Sequence, residues 1–246
     1  MASLRVERLG CGPPVFLVHG AVAGGAQTWS EQRPLAERWT LHVVDRPGYG
    51  DAAPIEREDF EVDAALVADA LPESVHLVGH SYGGVVSLLA AARRPEAVRS
   101  LAVVEPPCLG VARGDPDVDG FVATMVEHWA HGPGDPAGFL RGFLALVGSD
   151  LRISEPLPPS LERGARILQV ERGPWEAEIP LDALAAAPFP RLVFSGGHHP
   201  AFDAVCDVLE QRLVAEREVL RGHGHSVQRA GRAFNDRLER FWLQAG

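Results

Sequence analysis

Short, nearly continuous apolar runs recur at Val15 to Val18, Leu41 to Val44, Val75 to Val78, Leu101 to Val104 and Leu192 to Phe194, with a weaker one at Glu218 to Leu220. Runs of this length without polar alternation fit strands buried on both faces. Helical patterns lie between most of them. After the third run, Val85, Val86, Leu88, Leu89 and Ala92 form the inner face of a helix ending near Arg94-Pro95. Strands alternating with helices predict an α/β fold with a mostly parallel sheet and helices on both faces. Reactive groups in such a sheet belong in the loops at the carboxyl ends of its strands.

Regular alternation fails between Pro106 and Pro188, a stretch too long for one crossover helix. Helical patterns around Val118 to Ala130, Pro136 to Val147 and Leu161 to Val170 are separated by breaks such as Gly132-Pro133 and Pro158-Pro159. A structureless loop of that size is uncommon in a compact domain. The pattern therefore predicts a helical cap over residues 106–188, inserted into a core made of 1–105 and 189–246. A chain of 246 residues, 46% hydrophobic, can bury one large core with such an insertion.

The third apolar run leads directly into Gly79-His80-Ser81-Tyr82-Gly83. This is the G-x-S-x-G nucleophile elbow in its strand-to-helix setting. A turn that tight strains the serine backbone, and glycine two residues before and after leaves room for the chain to pass itself. The Ser81 hydroxyl is then thrust clear of the sheet, beside amides at a helix N-terminus that can hold a developing oxyanion. An ordinary turn with a solvated serine would not need that context.

Composition narrows the chemistry. The formal charge of −10 without a basic cluster argues against nucleic-acid or anionic-membrane partners. All 23 basic residues are arginine, and without lysine there is no Schiff-base, pyridoxal-phosphate or Walker-type site. Cys11, Cys108 and Cys206 are far apart and lack C-x-x-C spacing, so reduced, structural thiols are expected, not disulfides or a zinc knuckle. The opening Met1-Ala-Ser-Leu-Arg has no apolar signal core after it, and no run approaches a membrane span, so a soluble cytoplasmic protein is expected.

Four segments together resemble the α/β-hydrolase superfamily: His19-Gly20 after the first run, Asp45-Arg-Pro-Gly-Tyr-Gly50 after the second, the elbow after the third, and Gly222-His-Gly-His225 near the end. They stand in that family's order and span essentially the whole chain. The resemblance implies an α/β-hydrolase fold with Ser81 as nucleophile and His225, in preference to His223, as its base. It also implies an oxyanion hole formed by the Tyr82 and Ala21 amides, with Val22 as the alternative to Ala21. His19 is read as a loop organiser, and Asp45 and Arg46 as holding nearby loop backbone.

The third triad member departs from the common pattern. Where the family usually has an aspartate, this chain reads Ser195-Gly-Gly-His-His-Pro200, and His199 stands at the expected place. A histidine cannot supply the negative charge that orients a catalytic imidazole. Glu105 closes the Leu101 to Val104 run and is pinned by Pro106-Pro107. Some family members, haloalkane dehalogenases among them, carry the acid after this neighbouring strand, so Glu105 is the first candidate and Asp203 the second. Asp207 reads as solvent-facing helix. Glu105 could instead cap the start of the insertion or pair with an arginine.

The pairs His198-His199 and His223-x-His225 also raise a metal reading. The elbow already accounts for His225, and no carboxylate or cysteine completes a known spacing, so neither metal nor cofactor is expected. Phe121, Met125, Trp129, Phe139, Phe143 and Trp175 should mainly hold the cap together. His19, His199, Trp129 and Phe143 are the candidates for lining the substrate pocket.

The expected activity is hydrolysis of a carboxylic ester, thioester or lactone with a hydrophobic part, through an acyl-enzyme on a small-molecule substrate. Fold alone leaves two rivals open. One is a lyase, perhydrolase or cyclase using the same serine and histidine. The other is a non-catalytic small-molecule-binding protein.

Overall fold

The structure, a computed structural model, describes residues 3–245, so Met1, Ala2 and Gly246 at the outer ends of the expected core lie outside the described residues. Its centre is a sheet of β1 (Arg5–Leu9), β2 (Pro14–Val18), β3 (Thr40–Asp45), β4 (Val75–His80), β5 (Val98–Val104), β6 (Arg191–Ser195) and β7 (Glu216–Val219). The spatial order is β1-β3-β2-β4-β5-β6-β7. Every pairing is parallel except β1 with β3. The central strands β2, β4 and β5 are the apolar runs of the sequence, because both of their faces are covered.

Side-chain alternation divides the core in two. Phe16, Val18, Leu77 and Val103 point to one face, packed by α2 (Phe60–Ala70), α3 (Tyr82–Arg93) and α8 (Pro200–Leu213). Val15, Leu17, Val78 and Phe194 point to the other, packed by α9 (Arg232–Gln244) and a 3₁₀ stretch at Ser30–Glu37. The short α1 (Gly25–Thr28) lies between β2 and that stretch.

The long segment between β5 and β6 carries α4 (Pro116–His131), α5 (Pro136–Leu146), α6 (Pro159–Gln169) and α7 (Leu181–Ala186). α4 and α5 each begin with an aspartate that accepts amides of the first turn and is followed by proline. α6 lies so close to the loop after β2 that a Cβ on Gly164 would come within 1.8 Å of the Val22 carbonyl. α7 instead packs against α3 and α8, on the sheet side. Among the described residues no helix is long and apolar enough to cross a membrane. Cys108 and Cys206 are free and buried, but Cys11 is exposed and packs no core.

Candidate active site

Ser81 sits between β4 and α3 with φ 52° and ψ −126°, a conformation that L-residues rarely adopt. The flanking glycines are required by contact. A Cβ on Gly79 would meet the Gly83 carbonyl at 2.3 Å, and one on Gly83 would meet the His19 carbonyl at 2.2 Å. The Ser81 amide donates to the Val104 carbonyl at 2.8 Å, which ties the elbow to the end of β5. The Tyr82 and Ala21 amides have no hydrogen-bond acceptor among the described residues, whereas the Val22 amide donates to the Tyr49 hydroxyl at 3.2 Å.

Three side chains form a relay. Ser81 Oγ lies 2.8 Å from His225 Nε2, and His225 Nδ1 lies 3.1 Å from Glu105 Oε2. Glu105 is fully buried at the end of β5 and has φ 49°, so it, too, is held in a strained backbone position. Its Oε1 accepts the Gly196 amide at 2.6 Å. His80, inside the elbow motif, donates from Nε2 to the His225 carbonyl at 3.0 Å and so fixes the histidine loop to the strand that leads into Ser81. Phe202 packs its ring 4.6 Å from that of His225.

Burial governs the ionisation of these groups. It presses His225 down to about 3, with His198 and His199 adding repulsion, so the resting imidazole is neutral. Nδ1–H then donates to Glu105, and the Nε2 lone pair faces the serine hydroxyl. Burial pushes Glu105 up to about 7, opposed first by the Gly196 amide and then by the electrostatic influence of the His198 ring.

The loops around Ser81 are held by a buried guanidinium. Arg46 donates from Nε to the His19 carbonyl at 3.1 Å and from Nη2 to the Gly20 carbonyl at 2.8 Å. Its Nη1 bonds Glu58, and Asp63 at 2.9 Å. His19 takes the Arg46 amide on Nε2 at 3.0 Å and donates from Nδ1 to the Gly20 carbonyl, in keeping with a neutral ring lowered by burial and by Arg46. Burial raises Glu58 to about 7 and drives Glu171, which follows α6, well upward, with the neighbouring Glu58 charge adding to the rise. Arg46→Met would strand Glu58 and Asp63 as buried carboxyls without a cation. The expected cost is about 3–5 kcal/mol, a fall in Tm of roughly 10 °C. A thermal melt within a degree or two of the parent protein would contradict this account.

With this geometry in view, comparison with known proteins is decisive about the family. A family described as alpha/beta hydrolase fold matches residues 13–229. The chain belongs to the alpha/beta hydrolase fold family. It is 34% identical over 153 residues to a protein of Aeromonas salmonicida named pimeloyl-[acyl-carrier protein] methyl ester esterase, covering 61% of this chain and 54% of that one. A protein of the same name from Nitrosomonas europaea is 30% identical over 188 residues, covering 69% of this chain and 73% of that one. The chain thus spans about half the length of the first of these relatives. Among solved structures, an alpha/beta hydrolase from Sphaerobacter thermophilus is similar with a TM-score of 0.69 and 26% identity, over 97% of this chain and 96% of that one.

The hydrolase fold brings Ser81, His225 and Glu105 together and leaves Asp203 apart, since Asp203 meets Arg217 at 3.4 Å and is a third exposed. Of the expected pocket residues, Phe143 borders a cavity of about 50 Å³ beside Ser81, together with Ala21, Val22, Leu144, Val147 and Leu151. Three others do not. His19 is buried beneath the loop as its organiser. Trp129 stands among Phe139, Phe143 and Trp175 inside the insertion and donates to the Glu171 carbonyl at 3.2 Å. His199 is consumed by the start of α8, where its Nδ1 accepts the Ala201 amide at 3.2 Å, and its ring packs on Phe121.

Neither His80 nor His198 stands out in the sequence as part of the serine–histidine site, His198 entering there only through the metal reading of the His198-His199 pair. His80 could have been found as the variable residue of the elbow itself. For His198, the only signal was the pairing with His199, which drew attention to the wrong member.

Donor atoms of Glu105, His198 and His225 lie within 4.8 Å of one another, so these three could converge on a cation. The carboxylate that the spacing in sequence lacked comes from β5. A cation there would have to displace the Nδ1 proton that His225 donates to Glu105, so occupancy and the relay exclude each other.

Proposed function

We propose that the protein is a serine hydrolase of carboxylic esters, thioesters or lactones. The observation that carries this reading is the Ser81–His225–Glu105 relay, with contacts of 2.8 and 3.1 Å, set at a strained elbow. Ser81 Oγ attacks the carbonyl carbon as His225 Nε2 takes its proton, and Glu105 stabilises the imidazolium that forms. The Tyr82 and Ala21 amides, which have no other acceptor among the described residues, donate to the tetrahedral oxyanion. Val22 is not needed, because Tyr49 occupies its amide. Imidazolium returns the proton to the leaving alcohol, thiol or lactone oxygen, and water then repeats the sequence on the acyl-enzyme.

The 106–188 insertion serves in this reading as a cap that supplies the acyl site. The names of the relatives, methyl ester esterases, support a carboxylic ester as substrate. The apolar wall of Phe143, Leu144, Val147 and Leu151 suits a hydrophobic acyl group, and the small cavity suits a short one. A panel of p-nitrophenyl esters from acetyl to dodecanoyl, with thioesters and lactones alongside, tests both points. The expected result is highest kcat/KM for the shorter acyl chains. A maximum at dodecanoyl would overturn the size reading, and no hydrolysis of any member would overturn the function.

A further inference from the structure

His198 stands where sequence alone sees a defect, in the loop after β6 where the family resemblance leads one to expect the acid. Its Nε2 lies 3.1 Å from the Val147 carbonyl. A carbonyl oxygen only accepts, so Nε2 carries a hydrogen. The other nitrogen, Nδ1, is buried without a hydrogen-bond partner among the described residues and faces Glu105 Oε2 at 3.6 Å. In the neutral ring this would set a bare lone pair against a buried carboxylate oxygen, two acceptors with no proton between them.

The charge of Glu105 presents the same problem from the other side. A buried carboxylate requires a compensating cation. At rest Glu105 has the Gly196 amide and a neutral His225 ring as donors, and neither brings a charge. Arg217 on β7 is the nearby guanidinium and favours the ionised Glu105 through space, but it makes no ion pair with it among the described residues: its Nη2 meets Ser195 Oγ at 2.8 Å, Asp203 at 3.4 Å and Asp207 at 3.7 Å. The other ionisable groups around the pair are His199, which caps α8 by accepting the Ala201 amide, Cys206 on α8, whose thiol burial holds well above its usual range, and Asp150, which borders the His225 loop at Gly224. None of these supplies a positive charge to Glu105. One proton on His198 Nδ1 removes both difficulties.

We propose that His198 is a positioning residue, protonated on both ring nitrogens, whose imidazolium keeps the Glu105 carboxylate ionised and aimed at His225 while anchoring it to the Val147 carbonyl. Glu105 Oε2 then lies between two imidazoles, one carrying a fixed positive charge and one that becomes positive only during turnover. Phe202 stacks near-parallel to the His198 ring, with centroids 6.1 Å apart, and also touches His225, so the same residue shields both. Val147 belongs to the wall of the Ser81 cavity, so the anchor also ties the acid to the acyl site.

The proposal rests on the hydrolase reading for its kinetic consequence but not for its direct test. A cation 3.6 Å from Glu105 opposes uptake of a further proton by the Glu105–His225 pair. Removing it raises that pair's proton affinity, so the acid limb of kcat/KM moves to higher pH. For His198→Gln, checked for folding by thermal melt, the expected shift is about one pH unit upward. Nitrogen-15 NMR of the histidine rings in the Ser81→Ala protein should show protons on both His198 nitrogens at pH 7. A bare Nδ1 would overturn the proposal, whether the proton resides on Glu105 or is absent, and so would an unmoved acid limb in a folded variant. If the parent cleaves no ester, the functional reading fails, and the ring-nitrogen measurement still decides the state of His198. The same measurement decides it if His198→Gln does not fold.

Discussion

Replacing Ser81 by alanine is expected to lower ester turnover by about four to six orders of magnitude, the loss seen when the nucleophile of a serine–histidine relay is removed. The size follows from how little else the hydroxyl does. Ser81 occupies the N-cap position of α3 but makes no capping hydrogen bond, so the helix start does not depend on its side chain. The backbone contact that holds the elbow runs through the Ser81 amide to Val104 and survives the substitution. His225 keeps its bonds to Glu105 and, through its carbonyl, to His80. Alanine at φ 52° is no more strained than serine, so the melting temperature should stay within a degree or two of the parent. The measurement is kcat on the best ester of the panel, paired with labelling by a fluorophosphonate, which should vanish. Near-normal hydrolysis with an intact fold would remove Ser81 from the mechanism and with it the reaction class.

Which parts of this arrangement can be read from sequence depends on how local their causes are. The elbow is legible because its requirement is steric and contained in five residues. Gly79 and Gly83 each face backbone at distances no Cβ could tolerate. Strands β2 to β6 are legible because helices on both faces demand unbroken apolar runs. β1 is not, since Arg5–Leu9 lies at an edge with mostly exposed side chains and, among the described residues, pairs only with β3. β7 has the same edge character, and the apolar residues near its end place the expected strand at 218–220 where the observed one is Glu216–Val219.

Side-chain direction is the harder problem. His198 and His199 are adjacent and chemically identical, and which of them faces Glu105 is decided by where α8 begins. Pro200 starts that helix, so His199 becomes its cap and His198 is left to face inward. Trp129 shows the same limit, since an aromatic on a helix packs a core or lines a pocket without any change in local pattern. Glu105 could be nominated because it closes an apolar run, but its contact with His225 joins positions 120 residues apart and exists only once β4, β5 and β6 are side by side.

Glu105→Gln should reduce kcat by about 10⁴-fold, the loss expected when the base is held in the wrong tautomer. The geometry explains why so conservative a change is so damaging. The Gly196 amide, 2.6 Å from Oε1, requires an oxygen there, so the glutamine amide nitrogen must occupy the Oε2 position. That nitrogen faces His225 Nδ1 at 3.1 Å as a donor, and Nδ1 can meet a donor only by giving up its hydrogen. The proton then moves to Nε2, and a protonated Nε2 cannot accept from Ser81, 2.8 Å away. Loss of the carboxylate charge also leaves the imidazolium of the transition state without compensation in a buried site. Asp203→Asn, made in parallel, changes a partly exposed group that pairs with Arg217, and its expected effect on kcat is less than about threefold. Steady-state kinetics on one ester and thermal melts of both variants supply the comparison. A larger loss for Asp203→Asn than for Glu105→Gln would transfer the acid's role to α8 and leave the strained, buried Glu105 without a catalytic purpose.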